Sequence, residues 1–205
     1  MLADHKIIEY LDKAAAGTAV PGGGSVAALN AALAAGLTEM VANLTIGKKG
    51  YEAVEDEMKT IAEEASQLRT KLTAAIDQDA DAYTEVMAAY KLPKATDEEI
   101  TVRKQKIQEA IKHAALVPLA VARHALAVIE LAGQAIRKGN KNAASDGAVA
   151  AMNARTGALA AIYNVKINLG SINDDSFADK LAKEVRELES QVAEKENEAL
   201  SYVSI

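Results

Sequence analysis

The chain has 205 residues and a mass of 21.5 kDa, enough for a single domain over residues 1–205 with a sizeable core. Half of the residues are hydrophobic, a quarter are charged and roughly a fifth are Ala, while aromatics make up only 3%. That composition excludes a disordered chain and favours closely packed helices over sheets. Absence of Cys excludes disulfides, thiolate zinc sites and a cysteine nucleophile, three His leave little for a His-rich metal site, and a net charge of −6 speaks against a nucleic-acid partner.

Met1 to Lys13 carries Asp4, His5, Lys6 and Glu9 and has no apolar signal-peptide core. The longest Ala-rich stretches are broken by Asn30, Thr38 and Glu39, short of the ~18 uninterrupted apolar residues of a membrane span. A cytoplasmic protein without a membrane partner is therefore expected. The apolar period is helical throughout. A first helix is expected over about Asp4–Ala16, with Ile7, Ile8, Leu11 and Ala15 on one side. Ser25 is placed to cap a second, about Val26–Ile46, with Leu29, Leu33, Met40 and Leu44 on its face, before the Gly47–Gly50 break. A very long third helix, about Tyr51–Tyr90, stops at Leu92-Pro93. Thr96 and Glu99 form a capping-box pattern for a fourth, about Asp97–Lys138, in which Pro118 predicts a kink. Ser145 and Asn173 are the expected caps of a fifth and a sixth helix, ending near Leu169 and Val203. The expected fold is all-α: an elongated bundle of about six helices, two of them very long. Long apolar stripes of this kind need a partner, and a homodimer is the simplest closed solution.

The third helix holds the most informative departure from pattern. Its stripe runs Ile61, Ala65, Leu68, Leu72, Ile76, then Tyr83, Val86 and Tyr90, and the residue in the one long gap is Asp79. At about 100° per residue Asp79 projects in line with Ile61, whereas Asp77 and Asp81 project to the opposite side. An inward carboxylate without a partner has a raised pKa and suits general acid or base work. The structural alternative is a buried ion pair or a cap on another helix.

The fifth helix carries a second anomaly. Taking Val149 and Ile167 as its apolar line, Asp146, Asn153 and Asn164 lie within about 60° of that line, with Arg155 and Lys166 opposite. These polar groups either bind a ligand or form an interhelical network. Gly22, Gly23, Gly24 and Ser25 precede a helix start, where free N–H groups bind an anion or a carbonyl oxygen, or simply form a capped turn. Gly22 to Ala27 fits a loose G-x-G-x-x-A pattern, but a helix precedes it and no βαβ unit surrounds it, so a dinucleotide site is rejected. Lys48 and Lys49 sit in a glycine-flanked turn, open to an anionic substrate tail or to solvent alone. His113 and His124 lie about 16 Å apart along their helix, too far for one metal ion.

Taken in order, Pro-Gly-Gly-Gly-Ser-Val-Ala-Ala at 21–28, Asn-Leu-Thr-Ile-Gly-Lys-Lys at 43–49, Asp-Gln-Asp-Ala-Asp-Ala-Tyr at 77–83, Lys-Leu-Pro-Lys at 91–94, Ser145-Asp146 and Tyr-Asn-Val-Lys-Ile-Asn-Leu at 163–169 form a series. The series resembles the formiminotransferase-cyclodeaminase C-terminal domain and the free-standing bacterial methenyltetrahydrofolate cyclohydrolases, over essentially the whole chain. This resemblance implies an elongated helical dimer, a folate substrate with or without a polyglutamate tail, and no metal or redox cofactor. It also implies that the catalytic Asp is the second of the Asp-x-Asp-Ala segment, Asp79, the residue that the stripe singles out independently. Gly22, Gly23, Gly24, Ser25, Lys48, Asp146 and Asn164 fall on family motifs near the folate pocket and are expected to bind substrate. The expected activity is hydrolysis of 5,10-methenyltetrahydrofolate to 10-formyltetrahydrofolate, since no formiminotransferase domain accompanies the chain. Formiminotetrahydrofolate cyclodeamination and a non-catalytic folate-binding dimer are the alternatives.

Overall fold

The structure, a computed structural model, describes residues 1–204. The α-helices are α1 (Ile7–Ala15), α2 (Gly23–Asn43), α3 (Glu55–Tyr90), α4 (Asp97–Lys138), α5 (Ala144–Leu169) and α6 (Asp175–Ser201). A 3-10 turn at Leu2–Asp4 precedes α1, others at Glu52–Val54 and Lys141–Ala143 lead into α3 and α5, and no strand occurs among the described residues. With 42 residues, α4 is about 63 Å long. The all-helical class, the two long helices and the bounds of α4 follow the sequence reading. Thr96 accepts from the Glu99 amide and Glu99 reaches back to the Thr96 amide, so the expected capping box forms. Pro118 is buried inside α4, which continues through it as one helix.

α2 and α5 pack against each other at the centre, α3 and α4 flank them, and α6 closes over α4 and α5. The central contact is built from small side chains. Ala27, Ala28, Ala31, Ala34 and Ala35 of α2 are fully buried, as are Ala150, Ala151, Ala154, Ala158 and Ala161 of α5. A Cβ at Gly157 would stand 2.8 Å from the Ala27 carbonyl oxygen and 2.9 Å from Ala31, so the two backbones meet there at a distance only Gly permits. Leu72, Leu119, Ile129 and Ile162 fill the wider gaps. A second cluster of Val41, Met58, Ile61, Ala65 and Leu131 closes the far end.

This Ala-to-Ala packing reverses several sequence expectations. On α2 the larger residues Leu33, Met40 and Leu44 are exposed, because the small residues on the other face allow the closer approach of α5. Val149 and Ile167, taken as the apolar line of α5, are exposed for the same reason. Tyr83 and Tyr90 leave the core of α3, where Ala80, Ala82 and Ala89 are buried instead. α1 begins at Ile7, and Ile7, Ile8 and Leu11 face outward while Tyr10 is its one buried residue.

Three caps also differ. Gly22, not Ser25, is the N-cap of α2. Ser145 lies inside α5, after a turn that Asn140 caps by accepting from the Asn142 amide. Asp174, not Asn173, caps α6, accepting from the Phe177 amide at 3.1 Å, while the Asn173 amide donates to Gln108. By length and composition α2 and α4 each suffice to cross a membrane, although 56% of each apolar window is buried inside the bundle, as in core helices.

Candidate active site

The chain turns sharply into α2 through a cis Val20–Pro21 bond and three successive glycines. Each glycine faces a close neighbour. A Cβ at Gly22 would lie 3.1 Å from the Ala19 carbonyl oxygen, and one at Gly23 would lie 3.4 Å from the amide nitrogen of Asn164. At Gly24 it would fall 2.0 Å from an oxygen of Asp79. Any side chain at Gly24 therefore displaces that carboxylate, which explains why the turn is bare of side chains here.

Asp79 projects from the middle of α3 onto the first turn of α2. Ser25, fully buried, places its hydroxyl 3.1 Å from Asp79 Oδ2 and 2.8 Å from the Ile76 carbonyl oxygen. This occupation explains why Ser25 does not cap its own helix. The Ser25 backbone N–H also lies close enough to favour the charged carboxylate. Burial pushes the Asp79 pKa up, against the pull of the Ser25 hydroxyl and amide, and the net direction is upward. No cation contributes. The sequence alternatives of an ion pair or of a cap on another helix are thus resolved in a mixed sense. Asp79 does sit at the N-terminus of α2, where the helix dipole favours a negative charge, but it remains half-buried, without a cation.

Ser25 serves both protonation states of this group. A hydroxyl has one proton to give and two lone pairs to accept with. Facing the carboxylate, it shares its proton between Asp79 and Ile76. Facing the acid, it donates to Ile76 and accepts from Asp79. A carboxyl supported in both forms, with a pKa shifted toward neutrality, has the properties of a proton shuttle.

Asn164 meets this group from α5. Its side-chain amide donates to Ala160 O at 2.9 Å and lies against Gly23. Gly22, Gly23, Gly24, Ser25, Asp79 and Asn164 thus come together as one cluster. Lys48 and Asp146 do not join it within the chain. Lys48 is exposed in the turn after α2, and Asp146 is half-buried in the first turn of α5. Asp146 and Asn164 lie 18 positions apart on α5, about 27 Å along its axis. Of the two carboxylates expected on the side opposite Asp79, Asp81 is exposed, whereas Asp77 accepts from the Leu2 and Ala3 amides and ties the N-terminus to α3. Sequence reasoning passed over Tyr10, whose hydroxyl is buried near both Asp79 and Asp77. The available signal was a Tyr set among exposed apolar neighbours in a short helix. Among the described residues no three His, Asp or Glu side chains gather as a metal-ligand set.

The sequence profile of formiminotransferase-cyclodeaminase matches residues 6–187. The chain belongs to the formiminotransferase-cyclodeaminase family. Within it, the chain is 44% identical over 188 residues to the methenyltetrahydrofolate cyclohydrolase of Methylorubrum extorquens, covering 92% of this chain and 90% of that protein. It is 34% identical over 187 residues to the formimidoyltransferase-cyclodeaminase of Rattus norvegicus, covering 91% of this chain but 35% of that longer protein. The crystal structure of formiminotetrahydrofolate cyclodeaminase from Thermotoga maritima superposes with a TM-score of 0.89 at 34% identity, over 99% of this chain and 98% of that one.

Proposed function

We propose that this chain hydrolyses 5,10-methenyltetrahydrofolate to 10-formyltetrahydrofolate with Asp79 as the proton shuttle. The observation that carries the proposal is the half-buried Asp79 carboxyl, free of any cation and held by Ser25 on the first turn of α2. The end-to-end match to the Methylorubrum cyclohydrolase supports the choice of reaction.

The substrate is a cationic amidine whose bridging carbon is already electrophilic, so the reaction calls for no metal or redox cofactor. Asp79 takes one proton from water as the water oxygen bonds to the bridging carbon. The bond from that carbon to N5 then breaks, and Asp79 returns the proton to N5. The remaining hydroxyl proton leaves to solvent as the formyl C=O forms on N10. The carboxylate also stabilises the cationic substrate. The Gly22–Gly24 backbone and Ser25 hold the pterin or the developing oxyanion, and Asn164, against Gly23, offers its side-chain amide beside them.

The functional unit is a homodimer. Leu33, Met40 and Leu44 on α2 and Val149, Met152, Tyr163 and Ile167 on α5 are large, apolar and exposed on two helices that pack together, which marks an interaction surface. Antiparallel pairing about a two-fold axis lays the Gly22–Ser25 end of one copy beside the Lys48 and Asp146 end of the other. Lys48 then neutralises a glutamate-tail carboxylate across the interface.

Formiminotetrahydrofolate cyclodeamination is the second reading, favoured by the Thermotoga and Rattus relatives. It passes through the same tetrahedral carbon and needs the same shuttle. The two are separated by supplying each folate alone and following the methenyl chromophore. Loss of the chromophore from methenyltetrahydrofolate supports the hydrolase. Its appearance from formiminotetrahydrofolate, with ammonia released and no hydrolysis, overturns it in favour of the deaminase. Binding without turnover of either folate leaves the non-catalytic folate-binding dimer.

A further inference from the structure

Tyr10 is a buried group that the proton shuttle as described above does not use. It is the only buried residue of α1, and its hydroxyl is the one buried side-chain oxygen or nitrogen without a hydrogen-bond partner among the described residues. An unpaired buried hydroxyl destabilises a fold, whereas Phe would fill the same volume with no polar atom to satisfy. Packing alone therefore does not account for the phenol.

Its surroundings point to one acceptor. A cavity of about 210 Å³ adjoins the ring, lined by Leu2, Ala3, Tyr10, Leu29 and Ile76 among others. Ile76 is one helical turn before Asp79 on α3, and Leu29 one turn beyond Ser25 on α2, so the cavity borders the Asp79 cluster. The charged groups near the ring are Asp79 and Asp77 of α3, with His5 at the cavity wall; α2 brings no charged side chain before Glu39, and α5 brings Asn164. Both Asp77 oxygens already accept, one from the Leu2 amide and one from the Ala3 amide, whereas the side-chain bond to Asp79, from Ser25, is taken by Oδ2. Burial and then the charge of Asp79, ahead of that of Asp77, push the phenol pKa up, in keeping with this proximity.

We propose that Tyr10 is a positioning residue for Asp79: its phenol donates to the free lone pairs of the carboxylate as substrate occupies the site, fixing the orientation of the proton shuttle. The inference rests on the role of Asp79 proposed above and extends it to a second side chain on a different element.

The test is Tyr10→Phe in the full-length protein, assayed with methenyltetrahydrofolate. Expected is a fall in kcat of at least about tenfold with KM unchanged, the size of one hydrogen bond to a charged group. The thermal midpoint should stay level or rise. The acidic limb of the kcat profile, which reports the substrate complex, should move to higher pH, because a donor that favours the carboxylate there has been lost. In an Asp79→Asn background, the same substitution should give no further loss. A wild-type kcat with an unmoved acidic limb overturns the proposal. So does a change confined to KM, a lowered thermal midpoint that explains the lost activity, or a loss that adds fully to that of Asp79→Asn. Asp79→Asn on its own separates the two ideas: if it retains turnover the shuttle itself fails, whereas a silent Tyr10→Phe beside an inactive Asp79→Asn removes only Tyr10.

Discussion

Withdrawing a carboxylate from water without a cation beside it penalises its charged form, and Asp79 is held in that condition. Its folded-state pKa lies above the unfolded value, so the folded state binds the proton more tightly. The associated stability is fully present below the unfolded pKa and is lost as pH rises through the folded pKa. Asp79→Asn removes the charge and should raise the thermal midpoint at pH 7, with the gain vanishing in acid below the ordinary carboxylate range. Unfolding curves of both proteins across that span check this, and a lower midpoint for Asp79→Asn at neutral pH contradicts it. Asp79 was legible in the sequence because it interrupts an apolar series at a position where helical geometry points inward. Ser25 was visible as a helix-start residue and, through the family motif, as a substrate contact, but not as a partner of Asp79. Its true partners, Ile76 and Asp79, lie more than 50 positions away and belong to tertiary structure. Tyr10 stood out only as the one Tyr of a short apolar helix, and its burial depends on how that helix docks.

At the scale of elements, the bounds of α4 were readable because Thr96 and Glu99 write a local cap and Gly139 ends the helix. The buried faces of α2 and α5 were not. A hydrophobicity pattern ranks Leu and Ile above Ala, whereas close helix approach ranks them in reverse. Gly157 gives the sharpest test of that contact. Its missing Cβ leaves room for the Ala27 carbonyl and for Ala31, both on a backbone that cannot rotate away. Gly157→Ala should destabilise the fold by about 1–3 kcal/mol through overpacking, despite the better helix propensity of Ala. Denaturant unfolding measures the change, and a variant as stable as the wild type would contradict the packing described.

At the scale of the molecule, the long helices put the expected site residues at two ends. One holds Gly22–Ser25, Asp79 and Asn164, and the other holds Lys48 and Asp146. Sequence motifs predicted all of these as site residues but carried no information on which chain each would serve. The proposed dimer reunites them, and its particle mass should be twice 21.5 kDa. Ile167→Glu paired with Leu33→Glu places charges on the exposed stripes and should yield folded monomers with little turnover, read by light scattering and activity together. Fully active monomers would contradict the shared pocket. The central claim is the proton shuttle, and the most direct measurement of it is the decay of the methenyl chromophore with Asp79→Asn. Turnover should fall by at least ~100-fold while the helical fold and the dimer mass are retained. Turnover near the wild-type rate would contradict it.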